Sequence, residues 1–212
     1  MTGRRMGRRI GAVSAVVALG IGGTVTTAGS AAAAPAQVTA STTAAAADVD
    51  YATWQRDVQA VIDQAMPYVE QRTAQADGQK LALVFDIDNT TLETDFHPWY
   101  QLPTPAVTAS LELARYAHAR GVAIFFVTAR PGILYGETKW NLQTVGYPVS
   151  GLYVRDLPDL FDEVGAYKTS KRAQIESLGY TIIANVGNNT TDVVGGHAER
   201  TFKLPDYNGQ LS

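Results

Sequence analysis

Two aspartates stand two residues apart at the end of a hydrophobic run. Leu81–Phe85 leads into Asp86, Ile87 and Asp88, and Asn89, Thr90 and Thr91 follow. A strand interior does not tolerate unpaired carboxylates, so the strand must end near Asp86 with both acids at its carboxyl edge. That edge is where open α/β sheets bind ligands. Three further polar clusters fall at corresponding points, each beyond a hydrophobic run or at a helix start: Thr128/Arg130, Lys168/Lys171 and Asn188/Asp192. Taken singly, each has an ordinary reading. The acids and Thr128 can cap helices, Lys168 can be a solvated lysine, and Asn188 and Asp192 can be turn residues before Gly195-Gly196. Lined along one edge, they become a chemical set. Two carboxylates and a third from a distant strand make a hard oxygen site suited to Mg²⁺. A hydroxyl and a lysine beside it can hold phosphoryl oxygens and neutralise charge in transfer, and a carboxylate can serve as covalent nucleophile.

The residues around this set read less sharply. Arg130 fits either a phosphate rim or a structural ion pair, and Lys171 either pairs with an acid or is solvated. His97, alone in a loop, reads as a hydrogen-bonding surface residue. Phe96, Trp99, Tyr100 and Tyr135 flank the edge, where they either contact an aromatic substrate or form the loop's own small core.

The elements that must position these groups alternate between strand and helix. A helical period runs from Tyr51 to about Arg72, with Trp54, Val58, Val61, Ile62, Ala65 and Val69 on one face, and Pro67 should kink or divide it. Glu93–Pro105, with three prolines and no period, reads as a loop over the sheet edge. A helix is expected from Pro105 to about Arg120, a buried strand at Val122–Val127, and a helix from about Leu134 to Val145. Gly151–Val154 reads as a short strand, Lys168–Leu178 as a helix and Tyr180–Val186 as a strand. A turn or short helix at Asp192–Gly196 and a last strand at Thr201–Leu204 complete the series. Hydrophobic runs without alternation suit strands covered on both faces. Strands alternating with helices of this length predict an α/β, three-layer, Rossmann-like fold with a parallel central sheet.

The chain has 212 residues, enough for one full domain. Arg4, Arg5, Arg8 and Arg9 precede an apolar run from Ile10 to about Gly23 and small residues up to Ala34-Pro35-Ala36, the layout of a secretory signal peptide over 1–34. The apolar run is short and glycine-rich for a membrane span, so no stable membrane anchor is expected. Residues 35–49, rich in Ala, Thr and Ser, read as a disordered linker, and 50–212 as the domain, with its N-terminal helical segment at 50–76. Removing 1–34 takes four of the 17 basic residues and none of the 20 acidic ones, leaving a formal balance of −7. Such a chain makes a poor nucleic-acid backbone binder. With no Cys, thiolate metal sites, cysteine nucleophiles and disulfides are excluded together. The localisation this implies is secreted, or extracellular.

The ordered motifs resemble those of the haloacid dehalogenase-like (HAD) hydrolases. DIDNT at Asp86–Thr90 is similar to that superfamily's DxDxT motif, Thr128 in FFVTAR to its second motif, Lys168 to its lysine motif, and Gly187–Asp192 to its fourth. VTARP at Val127–Pro131, NLQTVGY at Asn141–Tyr147, KTSKR at Lys168–Arg172 and FKLP at Phe202–Pro205 are closer to the secreted acid phosphatase branch, the class B/C-like group of subfamily IIIB. The resemblance implies a HAD fold without a large cap domain. It also implies a Mg²⁺-dependent phosphomonoesterase working through an aspartyl-phosphate on small phosphomonoesters, nucleoside monophosphates among them. Asp86 would be the nucleophile and Asp88 the proton carrier. Thr128 and Lys168, with Asn89 and Thr90, would bind phosphate, and Asp86, Asp88, Asp192 and Asn188 would hold the metal. Arg130, Phe96, Trp99, Tyr100 and Tyr135 would be substrate contacts, and no obligate protein partner is implied. One position departs from the pattern: where the family carries Asp, this chain has Asn188, in GNNTTD. An amide keeps an oxygen but removes a charge, so metal affinity should fall. The alternative reading is therefore a weakly active or non-catalytic phosphate- or metal-binding protein, or a storage-type protein that keeps the fold.

Overall fold

The organising strand, β1 (Lys80–Phe85), lies at the centre of five parallel strands. In the computed structural model, which describes residues 49–211, its neighbours are β2 (Ala123–Pro131) and β4 (Tyr180–Gly187). Beyond these lie β3 (Gly151–Arg155) and β5 (Arg200–Lys203), in the order β3-β2-β1-β4-β5. Every adjacent pair is parallel. The chain works outward from β1 to β3, then returns to the other side of β1 with β4. The crevice between the carboxyl ends of β1 and β4 is thus the topological switch point, where sheets of this kind bind ligands. The leader and nearly all of the linker expected from the sequence lie outside the described residues.

Alternation along β1 builds two cores. Leu81, Leu83 and Phe85 enter one hydrophobic cluster, while Ala82 and Val84 enter the other, as the two-residue period of a strand requires. The first face is covered by α1 (Tyr51–Ala74), α2 (Thr108–His118) and α3 (Tyr135–Thr144). Trp54, Val58, Ile62, Leu113 and Leu142 from these helices pack there with Ile124, Phe126 and Ile183. The second face is covered by α4 (Val164–Ser177), through Tyr167 and Ile175. Burial on both faces accounts for the unbroken hydrophobic run of the strand.

Element bounds are where the structure departs from the sequence reading, and β2 runs past the expected Val127 to Pro131, so that Thr128 lies within it. Asp50 caps α1, accepting from the Thr53 N–H at 2.8 Å, and the helix runs through Pro67 to Ala74. Its buried stripe of Trp54, Val58, Ile62, Ala65 and Val69 continues past the proline. Packing of that face offsets a proline penalty of about 3 kcal/mol. The second helix begins at Thr108 rather than Pro105, because Leu92 bridges to Ala106 and the Pro105 carbonyl accepts the Glu93 N–H. α4 begins four residues before Lys168, at Val164, so Lys168 sits in the helix body. Side chains in a helix lean toward its N-terminus, which here means back toward the carboxyl edge of the sheet.

Candidate active site

Asp86 is the first residue past β1, and its N–H still donates to the Val186 carbonyl of β4 at 2.9 Å. This last rung fixes the backbone of Asp86 at the switch point. Asp192 reaches the same place by another route. Asn189 and Asp192 form a capping box on the short helix α5 (Thr190–Val193), with the Asn189 N–H donating to Asp192 Oδ2 at 2.7 Å. Gly187 is required beneath it, because a Cβ there would lie 2.3 Å from the Cβ of Asp192. Lys168 joins the two acids: its Nζ lies 2.5 Å from Asp86 Oδ1 and 2.5 Å from Asp192 Oδ1. All three side chains are buried.

Three carboxylates here are directly paired with two cations. Arg130 forks onto Asp88, with Nη2 2.7 Å from Oδ1 and Nε 3.1 Å from Oδ2, and Lys168 serves both Asp86 and Asp192. Burial pushes the Asp86 carboxyl up to about 7, against the pull of Lys168, and the charges of Asp192 and Asp88 add to the rise. Burial works against the Lys168 ammonium too, but Asp86 and Asp192 outweigh it and hold its pKa above the ordinary value. Burial together with a specific charge partner in a cleft makes Asp86 a candidate functional group.

Asp86, Asp88, Lys168, Asn188, Asn189 and Asp192 line a cavity of about 280 Å³, with Ala129, Val164 and Thr191. Thr128, one residue before Ala129, is fully buried, and its hydroxyl accepts the Arg130 N–H at 3.2 Å. Asp86, Lys168 and Asp192 thus share the cavity wall, with Thr128 next to it. A roomier cleft of about 630 Å³ lies on the flank of α4 and α5, but it contains none of the site acids.

Several expected site residues face elsewhere. Asn89, at φ 51°, turns its amide into the following loop: Nδ2 donates to Asp95 at 2.8 Å, and Oδ1 accepts the Asp95 N–H at 3.0 Å. It shapes the turn after the strand and is not directed at phosphate. The Thr90 hydroxyl donates to Asn188 Oδ1 at 3.2 Å and accepts the Asn188 N–H at 3.0 Å, tying the first motif to the fourth. The other end of the Asn188 amide donates to the Leu211 carbonyl at 2.7 Å. Asn188 thus has both ends of its amide committed inside the protein. Phe96 stacks on Trp54 at 4.4 Å and meets Tyr51 edge-on, so it belongs to the α1 core and not to the rim. Trp99 and Tyr100 are 90% and 70% exposed and pack edge to face on each other, and Tyr135 is also exposed. Arg130 forms the ion pair. Lys171 points away from the cavity and pairs with Asp159 at 2.7 Å. His97 lies 3.0 Å from the buried Glu93, which also accepts from Tyr51 and Gln55.

Arg172 is the functional neighbour that sequence reasoning undervalued. It is buried, and it donates to the carbonyls of Asp192 and Gly196 at 2.8 Å each and to that of Val194. Asn185 donates to the same Asp192 carbonyl at 2.7 Å. The KTSKR spacing held the signal, since residues four apart share a helix face and Arg172 must therefore face inward with Lys168.

Among the described residues, no group of three or more His, Cys, Asp or Glu side chains converges as a metal cage. The two carboxylates that do converge suit Mg²⁺, which binds through one or two carboxylates and takes its other oxygens from water and substrate phosphate. The uncompensated negative charge at Asp86 and Asp192 fits the same ion.

A parallel α/β sheet with an acid, a hydroxyl, a lysine and a second acid at its switch point defines a HAD-like hydrolase. The profile of the HAD superfamily, subfamily IIIB (acid phosphatase), matches residues 21–102 and 93–210. The chain belongs to that family, a family of phosphomonoester hydrolases whose superfamily generally uses a divalent metal. It is 25% identical over 173 residues to acid phosphatase 1 of Solanum lycopersicum, covering 72% of this chain and 68% of that protein. It is 31% identical over 106 residues to the stem 28 kDa glycoprotein of Glycine max, covering 48% and 42%. The class C acid phosphatase from Bacillus anthracis shares the fold, with a TM-score of 0.60 at 17% identity over 74% of this chain and 80% of that one. Among the described residues, no helix is long and apolar enough to cross a membrane.

Proposed function

We propose that the protein is a secreted, Mg²⁺-dependent acid phosphatase that hydrolyses small phosphomonoesters through a phosphorylated Asp86. The observation that carries this reading is the convergence of Asp86, Lys168 and Asp192 at the β1/β4 switch point, with Asp88 beside them. Asp86 attacks phosphorus, and Asp88 gives a proton to the departing oxygen and later takes one from the attacking water. Lys168 and the Thr128 hydroxyl hold the transferring phosphoryl oxygens. Asp86 and Asp192 would hold Mg²⁺, which would supply positive charge beside the phosphoryl oxygens and favour the ionised form of Asp86. Residues 1–34 act as the export leader, which N-terminal sequencing of protein from culture medium checks.

Purified protein should hydrolyse an aryl phosphate at mildly acidic pH, lose activity in EDTA and recover it with Mg²⁺. Asp86→Asn should abolish turnover. Absence of metal-dependent turnover across a phosphomonoester panel sinks the reading. The commitment of Asn188 inside the protein favours one second reading, a storage-type protein that binds Mg²⁺ or phosphate without turnover. Calorimetric binding in a protein inactive on every ester would select it.

A further inference from the structure

We propose that Arg130 is a positioning residue for Asp88, fixing the plane of its carboxylate so that its less tightly held oxygen faces the leaving group. The inference rests on the reading of Asp88 as proton carrier. Arg130 is held from three directions. Its Nη2 lies 2.7 Å from Asp88 Oδ1, and its Nε lies 3.3 Å from Oδ1 and 3.1 Å from Oδ2. Its Nη1 donates at 3.2 Å to the hydroxyl of Thr138, a fully buried residue of α3. Its backbone N–H donates to Thr128 Oγ1. The Asp88 side chain is 36% exposed and that of Arg130 15%. A carboxylate with that much solvent around it samples several rotamers unless something holds it. A planar guanidinium can fix both oxygens and the plane of the group, which a lysine cannot. The series Thr138–Arg130–Asp88 thus carries the rigidity of a packed helix to the proton-transferring atom. Oδ1 takes the tighter contact, 2.7 Å against 3.1 Å at Oδ2, so Oδ2 is assigned as the oxygen that handles the proton.

The step it serves balances. A bond forms from an Asp86 oxygen to phosphorus as the bond from phosphorus to the leaving oxygen breaks, and that oxygen takes the proton from Asp88. Water then attacks phosphorus and gives its proton to Asp88, and the Asp86–phosphorus bond breaks. Only the first half depends on the leaving group. An alkoxide departs poorly without a proton, whereas 4-nitrophenolate departs readily. kcat/KM reports the step in which the leaving group departs. Arg130→Ala should therefore lower kcat/KM for an alkyl ester such as glycerol phosphate by about 10²-fold. For 4-nitrophenyl phosphate the loss should be about threefold or less, since little general-acid assistance is lost there.

Three variants are compared with the full-length protein on both esters: Arg130→Ala, Arg130→Lys and Thr138→Val. Arg130→Lys should retain the leaving-group dependence of Arg130→Ala in weaker form. Thr138→Val keeps Arg130 and removes only its anchor, so a smaller loss of the same kind is expected, and it carries the test if Arg130→Ala does not fold. Equal fold losses on both esters overturn the proposal. So does an equal loss accompanied by weaker inhibition by inorganic phosphate, which would make Arg130 a phosphoryl contact. A wild-type protein inactive on both esters sinks the functional reading instead, so the two failures are distinct.

Discussion

At the residue scale the site turns on how buried charge is matched. Removing one partner of a buried, hydrogen-bonded charge leaves the others uncompensated, so the groups behind the cavity matter as much as those in it. Arg172 satisfies three backbone carbonyls in the 192–196 segment that carries Asp192. Arg172→Met keeps bulk but removes three charged donors, leaving the Asp192 carbonyl to Asn185, that of Val194 to Thr169 and that of Gly196 without its guanidinium partner, and it should cost about 3 kcal/mol. A lowered urea midpoint, with weaker Mg²⁺ binding in the fraction that folds, is the measurement. Asn188 makes the opposite point. Restoring the family's acid with Asn188→Asp replaces the amide that donates to Leu211 with an oxygen, at a position only 1% exposed. The change should destabilise the protein by roughly 1–3 kcal/mol and leave Mg²⁺ affinity no tighter, which thermal melts and calorimetry would show. A gain in both would return Asn188 to the metal site.

At the element scale, α1 is held to the sheet by a polar seam at its C-terminal end as well as by its buried stripe. Arg72 Nε lies 2.8 Å from Glu199 Oε2 and its Nη2 3.0 Å from Oε1, while the Tyr68 hydroxyl donates to Oε2 at 3.1 Å. The Arg72 hydrogen bond holds the Glu199 carboxyl below its ordinary value, against its partial burial, and Tyr68 adds to the lowering. A lowered folded pKa means stability that is present above the unfolded carboxylate value and is lost as pH falls through the folded one. Glu199 is about one-third exposed, so solvent screening limits the pair to about 0.5–1 kcal/mol. Glu199→Gln should lower Tm by about 2 °C at pH 7 and by less once the pH has fallen through the lowered folded value of the wild-type carboxylate. An equal shift at both pH values would assign the effect to packing. The start of α4 shows why element boundaries were hard to read. Nothing at Val164 resembles a capping residue in the sequence, and Glu163 makes no side-chain cap. The helix starts there because Tyr167 and Lys168 must both point inward.

At the scale of the whole molecule, the candidate site was legible because parallel topology converts strand ends into neighbours. A hydrophobic run ending in polar residues announces an edge, and three such edges, with Lys168 on the helix that leads into β4, bring together Asp86, Thr128, Lys168 and Asp192. What was not legible depended on side-chain direction within loops. Nothing in the order of residues shows that Asn89 turns to Asp95, that Phe96 stacks on Trp54 beneath α1, or that Arg130 pairs with Asp88. Those choices are made by contacts between segments tens of residues apart. In the proposed function, the same long-range assembly would make metal binding a property of the fold. Asp86 follows β1 and Asp192 lies in α5 beyond β4, so an ion gripped by both binds the folded chain and not the unfolded one. At a concentration 100 times its Kd, such an ion adds about 2.7 kcal/mol of stability, or about 5–10 °C in Tm for a domain of this size. Mg²⁺ should therefore raise Tm over that range in the wild type and much less in Asp192→Asn, which keeps the shape but removes the charge. An equal rise in both would place the ion elsewhere on the surface and detach Asp192 from the metal.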